Sequence, residues 1–400
     1  MRGGRVAVVG GSIAGCAAAL AAHRGGAEAV TVYERASGRL ADRGVGLAMH
    51  DDRYAELEAC GFVSASMPWL QLTRRCWYVR DGSAPMGRMI GELPFPFRTY
   101  NWGPLWSELR AGVPESVDFR TAAPVDRLEL THSGVELMTC DGESDRFDLV
   151  VGADGYRSTV RAAVCPEVGP AYAGYLAWRG AFPVERLPDA GRWPVDDCVF
   201  AVFPGGHAVI YRIPDGRGGH RVNWVLYAAP PAGHGLPLDS PTSLPPGTLT
   251  DALRAHALTV ADTELPSFWG QLMHLTAPGD LFVQPMYDFT APRYATDRLA
   301  LVGDAATVAR PHTGGGAVKA LQDATALESA LTSAAGRSDA LAAYDAGRAE
   351  VGSGMVEVGR GLGLAMVERS PDWSTMDQAG LERWWQLADG TRGFGGRKLA

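Results

Sequence analysis

The stretch Arg5-Val6-Ala7-Val8-Val9-Gly10-Gly11-Ser12-Ile13-Ala14-Gly15 decides the fold. Its apolar, β-branched opening reads as a buried strand, the glycine pair as a tight turn, and the Ala-rich run from Ile13 to His23 as a helix. Ala29-Val30-Thr31-Val32-Tyr33 follows as a second strand, so the chain opens with a βαβ unit whose first turn is glycine-rich. In such a unit the first glycine makes the turn, the middle position lets the backbone approach a pyrophosphate, and the last lets helix and strand pack closely. Ser12 holds the middle position, where a small hydroxyl can donate to a phosphate oxygen beside the helix N-terminus. Glu34 stands 24 residues after Gly10, at the end of the second strand, where ribose recognition needs an acid. A glycine-tolerant turn in some other βαβ unit is the bland reading of this motif taken alone.

Two further strand-and-glycine units lie downstream. Phe147-Asp148-Leu149-Val150-Val151 runs into Gly152-Ala153-Asp154-Gly155, with a helix start at Ser158-Thr159-Val160-Arg161; its bland reading is an Asp-Gly turn. Arg298-Leu299-Ala300-Leu301-Val302 runs into Gly303-Asp304, then a loop through Pro311-His312-Thr313-Gly314-Gly315-Gly316, then a helix with Ala317, Ala320, Leu321, Ala324, Leu327 and Leu331 on one face. Three glycines at a helix start point to something flat or large touching backbone. Between these units the texture changes. Segments 175–182, 199–203, 207–213 and 221–227 are aromatic and β-branched, with a hairpin turn expected at Gly205-Gly206, and they read as an antiparallel sheet inserted into an α/β domain. A loop is expected over Pro230 to Pro246, a helix over Thr248 to Leu258, and a terminal helix near Trp373, Trp384 and Trp385.

With 400 residues, 46% hydrophobic and 20% charged, the chain is long enough for two interlocked domains with a large buried interior. A net charge of −8 without a basic run argues against nucleic acid or a stable membrane association, and for a small-molecule substrate. Six scattered cysteines without CxxC pairing suggest reduced thiols in a cytoplasmic enzyme, with neither a disulfide framework nor a metal site.

The order and spacing of the three motifs resemble class A flavoprotein monooxygenases, the group with the para-hydroxybenzoate hydroxylase fold, over about 330 residues of this chain. Tyr175-Leu176-Ala177-Trp178-Arg179-Gly180 and the Asn101-Trp102 pair before Leu105 further resemble the 2,6-dihydroxypyridine hydroxylase branch. The resemblance implies an α/β fold: a Rossmann-like FAD-binding domain over 1–72, 101–171 and 283–345, a substrate domain of inserted antiparallel sheet over 73–100 and 172–282, and a C-terminal helical segment over 346–400. It implies that Gly10, Ser12, Ala14 and Gly15 hold the FAD pyrophosphate and that Glu34 binds the adenosine ribose. Arg35 would lie near the adenine and Arg43 near the nucleotide chain. Gly303 and Asp304 would meet the ribityl or pyrophosphate region, Asp154 would sit where FAD and the reductant approach each other, and Gly314, Gly315 and Gly316 would aim amides at the flavin. The chain departs from the family at Thr307, where many members have His, and at Trp102, often an Arg.

The implied chemistry is insertion of one oxygen atom from O2 into an aromatic or heteroaromatic substrate through a C4a-hydroperoxyflavin, with NADH or NADPH docking transiently as reductant. A homodimer is the expectation for such relatives. Pro311 is the candidate for shaping the oxygen pocket, and His50, His207 and Tyr211 are the candidates for a base or relay near a substrate hydroxyl; for each a packing role is the competing reading. Arg179 and Arg212 are candidates to pair with an anionic substrate, and Met49, Trp178, Phe203 and Trp224 to line an aromatic pocket. An N-hydroxylase or epoxidase would carry the same motifs, and a non-redox cyclase would use FAD as a scaffold. A halogenase would need a Trp-x-Trp-x-Ile-Pro motif, which is absent.

Overall fold

The opening unit forms as its sequence predicts: β1 (Arg5–Val9), α1 (Ile13–Arg24) and β2 (Ala29–Tyr33), the strands parallel and paired from Arg5/Ala29 to Val9/Tyr33. The computed structural model describes residues 3–38, 46–233, 235, 236, 238, 249–389, 394–396 and 398. Arg43 and Thr248 lie outside them. Small side chains explain the closeness of this unit: Ala17, Ala18, Ala19, Ala21 and Ala22 of α1 are completely buried between strand and neighbouring helix.

Next come β3 (Gly46–His50), α2 (Asp51–Ala59), the long strands β4 (Leu70–Val79) and β5 (Arg88–Asn101), α3 (Trp102–Ala111) and β6 (Asp118–Arg120). A small antiparallel sheet, β7 (Val125–Thr131), β8 (Gly134–Thr139) and β9 (Ser144–Phe147), precedes β10 (Leu149–Gly152). The second motif's strand is thus divided at Asp148, whose carboxylate accepts the Arg5 backbone N–H at 2.8 Å. Phe147 closes the small sheet instead of continuing β10. Then follow α4 (Thr159–Val164), β11 (Ala171–Pro183), β12 (Asp197–Phe203), β13 (Gly206–Pro214), β14 (His220–Ala228), α5 (Asp251–Glu264), α6 (Ser267–His274), β15 (Phe282–Thr290), β16 (Leu299–Leu301), β17 (Thr307–Val308), α7 (Gly316–Ser333), α8 (Arg337–Gly363) and α9 (Gln378–Asp389).

Among the described residues the strands make a five-stranded parallel sheet, order β16-β10-β1-β2-β6, and a nine-stranded sheet, order β17-β15-β11-β14-β13-β12-β4-β5-β3. The three motifs end on adjacent strands, β1, β10 and β16, so their loops meet at one edge of the parallel sheet. The hairpin between β12 and β13 turns at Pro204-Gly205, one residue earlier than expected: Phe203 pairs with Gly206, and Gly205 takes the positive φ of 86°. Likewise α5 starts at Asp251 behind an N-cap Thr250, whose hydroxyl accepts from Leu253 N–H at 3.3 Å.

Alternation divides the central strands of the large sheet into two faces. Trp178, Phe182, Ala208, Ile210, Val222, Trp224 and Leu226 form the back face and bury against α5 and α6 through Leu253, Ala257, Phe268, Trp269 and Leu272. Tyr175, Ala177, Arg179, His207, Tyr211, Asn223, Val225 and Tyr227 form the front face: Tyr227 stands opposite both Ala177 and His207, and Asn223 opposite both Ala181 and Tyr211. The outer part of the front face is covered by the end of α8 and by α9, where Trp373, Trp384 and Trp385 gather around Trp77.

Candidate active site

The glycine turn after β1 is shaped by contacts no side chain would permit. Gly10 has φ 102° and a Cβ there would lie 2.4 Å from the Ala153 carbonyl; at Gly15 it would lie 1.8 Å from the Gly10 carbonyl. Both residues serve close approach of backbone to backbone. Ser12 caps α1 in an extended conformation, and its hydroxyl makes no cap hydrogen bond, so it is free for a phosphate oxygen at the helix N-terminus. Ala14 lies in the first turn of that helix, its Cβ close to Gly303 of the third motif. The Glu34 carboxylate accepts Gly11 N–H at 2.7 Å and Ala36 N–H at 2.8 Å, which fixes it at the end of β2 with lone pairs left for a diol. Arg35 beside it is exposed. Trp106, from α3, donates its indole N–H to the Gly11 carbonyl at 2.8 Å and braces the turn from outside.

Asp154 uses one carboxylate oxygen to accept Thr159 N–H at 2.8 Å, while the other oxygen has no partner. Burial pushes its pKa up against the opposing pull of the Ser158 hydroxyl and of the backbone N–H groups of Asp154, Thr159 and Val160. Gly303 takes φ 58° where its Cβ would meet Ala14 at 2.8 Å. The loop is held from behind by a buried charge cluster: Asp323 accepts Gly303 N–H at 2.9 Å, Lys319 Nζ at 2.5 Å and Arg348 Nε at 2.8 Å, and Lys319 also reaches the Gly303 carbonyl. Asp304 is exposed in the turn after β16; desolvation by the protein around it raises its pKa, and Lys319 opposes this. An exposed carboxylate, with its neighbours already paired, suits a polyol chain.

Pro311 opens a short turn whose carbonyl accepts Gly314 N–H at 3.0 Å; Gly314 takes φ 62°, and Gly315 is the N-cap of α7 with Gly316 as its first residue. No side chain caps the first turn of this helix, whose N-terminus carries the positive end of its dipole, and the N-cap Gly315 N–H donates to the Thr313 hydroxyl at 3.3 Å. Arg310, just before Pro311, is tied to Asp288 at 2.8 Å, and Asp288 in turn to Arg360 at 2.6 Å, so the loop enters from a rigid anchor.

The sheet's front face meets this loop at His312, whose Nε2 lies 2.6 Å from the Tyr175 hydroxyl and whose ring is 4.6 Å from Tyr227 and 5.3 Å from His207. Burial drives His207 down to about 3, opposed only by the nearby Met366 carbonyl, which does not reach hydrogen-bond geometry: neither ring nitrogen has a partner. His312 is lowered for the same reason, reinforced by His207, Arg310 and Arg179. Both imidazoles are therefore neutral. Tyr211 is raised by burial and pulled down by Arg179, and its hydroxyl lies beside Gly46, whose N–H donates to Asn223 Oδ1 at 2.9 Å. Strand β3 thus crosses the front face close to Tyr211 and Asn223.

Of the sequence candidates, His207 and Tyr211 share this face, and Pro311 lies one residue from His312. His50 sits elsewhere, as the N-cap of α2 with Nδ1 accepting Asp52 N–H at 3.1 Å and its ring edge-on to Phe97. Trp178, Trp224 and Phe203 do not line a pocket; they are back-face core, and the indole N–H groups of Trp178 and Trp224 are satisfied by the Leu253 carbonyl and the Thr276 hydroxyl. Met49 is packed in the core of the parallel-sheet domain. Arg212 also points to the back, where it donates to the Trp193 carbonyl at 2.9 Å and lies over that ring. Thr307 fills the place of the frequent His by bonding Thr290 and Tyr294 hydroxyls. His312, Asn223 and Tyr227, which the structure brings to the same face and loop, were not among the sequence candidates. The position of His312 between Pro311 and three glycines was the available signal, whereas Asn223 and Tyr227 needed the strand register.

Oxygenating an aromatic ring calls for a flavin held largely by backbone and a ring held by side chains within its reach. The cradle and the front face satisfy that division, and they define a flavin-dependent aromatic monooxygenase. Known proteins agree. Residues 263–358 match the FAD binding domain family, and residues 172–288 match the FAD binding domain-like family. The chain is 30% identical over 338 residues to 3-amino-4-hydroxybenzoate 2-monooxygenase of Streptomyces cremeus, covering 82% of this chain and 78% of that protein. It is 28% identical over 349 residues to 2,6-dihydroxypyridine 3-monooxygenase of Paenarthrobacter nicotinovorans, covering 82% and 83%. The solved structure of 2,6-dihydroxypyridine-3-hydroxylase from Arthrobacter nicotinovorans superimposes with a TM-score of 0.80 at 25% identity, over 94% of this chain and 96% of that one. The chain belongs to the FAD-dependent aromatic monooxygenases of class A, and FAD is its cofactor. No helix among the described residues is long and apolar enough to cross a membrane.

Proposed function

We propose that this enzyme hydroxylates a small, oxygen-substituted aromatic or heteroaromatic ring, using NADH or NADPH that docks transiently. The observation that carries this reading is the meeting of His312, two residues before the glycine cluster, with Tyr175, Tyr227 and His207 of the sheet. It gathers phenols and neutral imidazoles against the loop that leads into the amides suited to a flavin edge. When bound, FAD supplies the reaction of reduced flavin with O2. Gly10, Ser12, Ala14, Gly15 and Glu34 would hold its ADP half, with Arg35 and Arg43 flanking; Asp154, Gly303, Asp304 and Gly314 to Gly316 would hold the remainder. His207, Tyr211 and Tyr227 would orient the substrate hydroxyl, and the buried front face would exclude water. The supporting names are those of the two relatives, which act on a dihydroxypyridine and an amino-hydroxybenzoate. The division into a discontinuous FAD domain and a substrate domain, a cytoplasmic site of action and a homodimer belong to the same proposal.

The test is anaerobic reduction of the yellow holoenzyme by NADH and by NADPH, with and without hydroxylated pyridines, quinolines and phenols, followed by O2. Reduction accelerated by one ligand class and a product heavier by one oxygen on carbon support the proposal. Oxygen delivered to nitrogen or across an alkene would replace it with N-hydroxylation or epoxidation. A flavin that neither reductant bleaches would leave a scaffold role.

A further inference from the structure

The glycine turn of the third motif is touched by a part of the chain remote from it in sequence. Gly395 donates its backbone N–H to the Thr313 carbonyl at 2.8 Å. A Cβ on Gly315 would lie 3.5 Å from the Gly396 nitrogen, one on Gly314 would lie 3.9 Å from the Phe394 ring, and one on Gly316 would meet nothing within 4 Å. Part of the room that three glycines leave at the start of α7 is therefore filled by Phe394, Gly395 and Gly396, while the room at Gly316 stays open.

These three residues are seated by independent contacts on several elements. Phe394 donates its N–H to Asp389, the last residue of α9, at 3.2 Å, and its ring packs 5.3 Å from Trp385, 5.5 Å from Phe97 and 5.9 Å from Phe95. Arg75, on β4, lies over two of those rings, its guanidinium 3.6 Å from Trp385 and 4.9 Å from Phe394. Gly395 and Gly396 take φ of 86° and 102°, a region open to glycine and strained for other residues. A Cβ on Gly395 would lie 2.7 Å from the Phe97 ring, and one on Gly396 3.1 Å from Val318 of α7. Two left-handed glycines thus let the backbone lie close to both β5 and α7. Thr313 is buried, and its carbonyl takes a donor from this segment.

We propose that Phe394, Gly395 and Gly396 form a strap that holds the turn from Pro311 to Gly316 in the conformation that binds FAD. The inference rests on the reading of the third motif as part of the FAD cradle, and it adds to that cradle a segment that follows α9. These are positioning residues, acting on the cofactor through Thr313 and the turn. The strap also joins the cradle to the aromatic cluster of Trp77, Trp373, Trp384 and Trp385 over the front face of the sheet. By thermodynamic reciprocity, a strap that favours FAD binding is itself held down by bound FAD.

Wild type, Gly395→Ala and Phe394→Ala would be stripped of FAD and retitrated with it, affinity being read from the change in flavin fluorescence on binding. The melting temperature of each FAD-free protein is the control, because a residue that only stabilises the fold changes that temperature and not the FAD affinity of the folded protein. The expected result is FAD affinity lowered about 10-fold in Gly395→Ala, the equivalent of one net buried hydrogen bond, and by less in Phe394→Ala. Arg392 and Arg397 flank the strap in the sequence, so limited trypsin digestion read by mass spectrometry reports its docking. FAD should slow wild-type cleavage at these two sites on the order of 10-fold, and less in Gly395→Ala. Unchanged FAD affinity in both variants, or wild-type cleavage at one rate with and without FAD, would overturn the inference. Should Gly395→Ala fail to fold, the Phe394→Ala comparison decides alone. Loss of FAD in Gly303→Val beside strap variants that bind it normally would remove this inference and keep the cradle reading; FAD binding indifferent to Gly303→Val as well would remove both.

Discussion

On the reading proposed above, the FAD cradle and the front face of the large sheet would solve the same problem, holding a flat polar molecule, with opposite materials. In the cradle the working groups would be backbone: amides at two helix N-termini, shaped by Gly10, Gly15, Gly303 and Gly314. On the sheet they would be side chains, among them His207, Tyr211, Asn223 and Tyr227, carried on ordinary strands. Backbone binding leaves a trace in composition because it demands glycine at set spacings; side-chain binding on a strand demands only that every second residue be suitable.

The largest effect should therefore come from adding a side chain to the cradle. Gly15→Val puts atoms within 2 Å of the Gly10 carbonyl, and the purified protein should be colourless, with no FAD recovered. A yellow Gly15→Val protein would mean that the α1 turn is not the cofactor cradle. The buried cluster behind the third motif comes next. Asp323→Asn strips Lys319 and Arg348 of their counter-charge, and unfolding free energy should fall by about 3–5 kcal/mol, read by chemical denaturation. Trp178→Ala on the back face should cost a similar amount, about 3–5 kcal/mol, as a cavity against α5, without changing ligand preference. A shift in ligand preference would break the two-face division.

Acid should separate the faces more gently. His207 has a folded pKa of about 3 against 6.5 unfolded, so below pH 6.5 the unfolded chain binds the extra proton and stability drops as pH falls towards 3. The slope for this one residue is at most about 1.4 kcal/mol per pH unit. Melting temperatures measured from neutral to mildly acid pH should decline less steeply in His207→Gln; an identical slope would show that the imidazole is not buried neutral. The smallest change is Tyr227→Phe: a stability shift within about 1 kcal/mol, yet a measurable loss of kcat/KM for a hydroxylated ring, which a purely structural tyrosine would not show.

The same contrast explains what could be read in advance. The three glycine motifs, their strands and the inserted antiparallel sheet were legible because strand periodicity and glycine spacing are local properties. The site on the sheet was only half legible. His207 and Tyr211 lie four residues apart on one face of β13, but nothing local shows that Asn223 and Tyr227 stand opposite them, or that Arg179 and Arg212 point in opposite directions. Register across the turn from Asp215 to Gly219, between β13 and β14, decides the first, and register is a long-range outcome of which face finds α5 and α6. His50 differs for the reverse reason: its strand begins on the front face beside Tyr211 and Asn223, while its own ring serves as a helix cap.

The alternation of β11, β13 and β14 also limits how such a pocket can diverge. Inserting or deleting one residue within any of these strands would swap the front-face set for the back-face set, presenting Trp178, Ile210 or Trp224 to the front and burying Arg179 or Tyr211 under the helices. Length change is therefore a forbidden mutational route inside the strands and a permitted one in the turns between them. Descendants of this scaffold that accept new rings should differ from it by point replacements at odd-numbered positions, with their gaps confined to the loops.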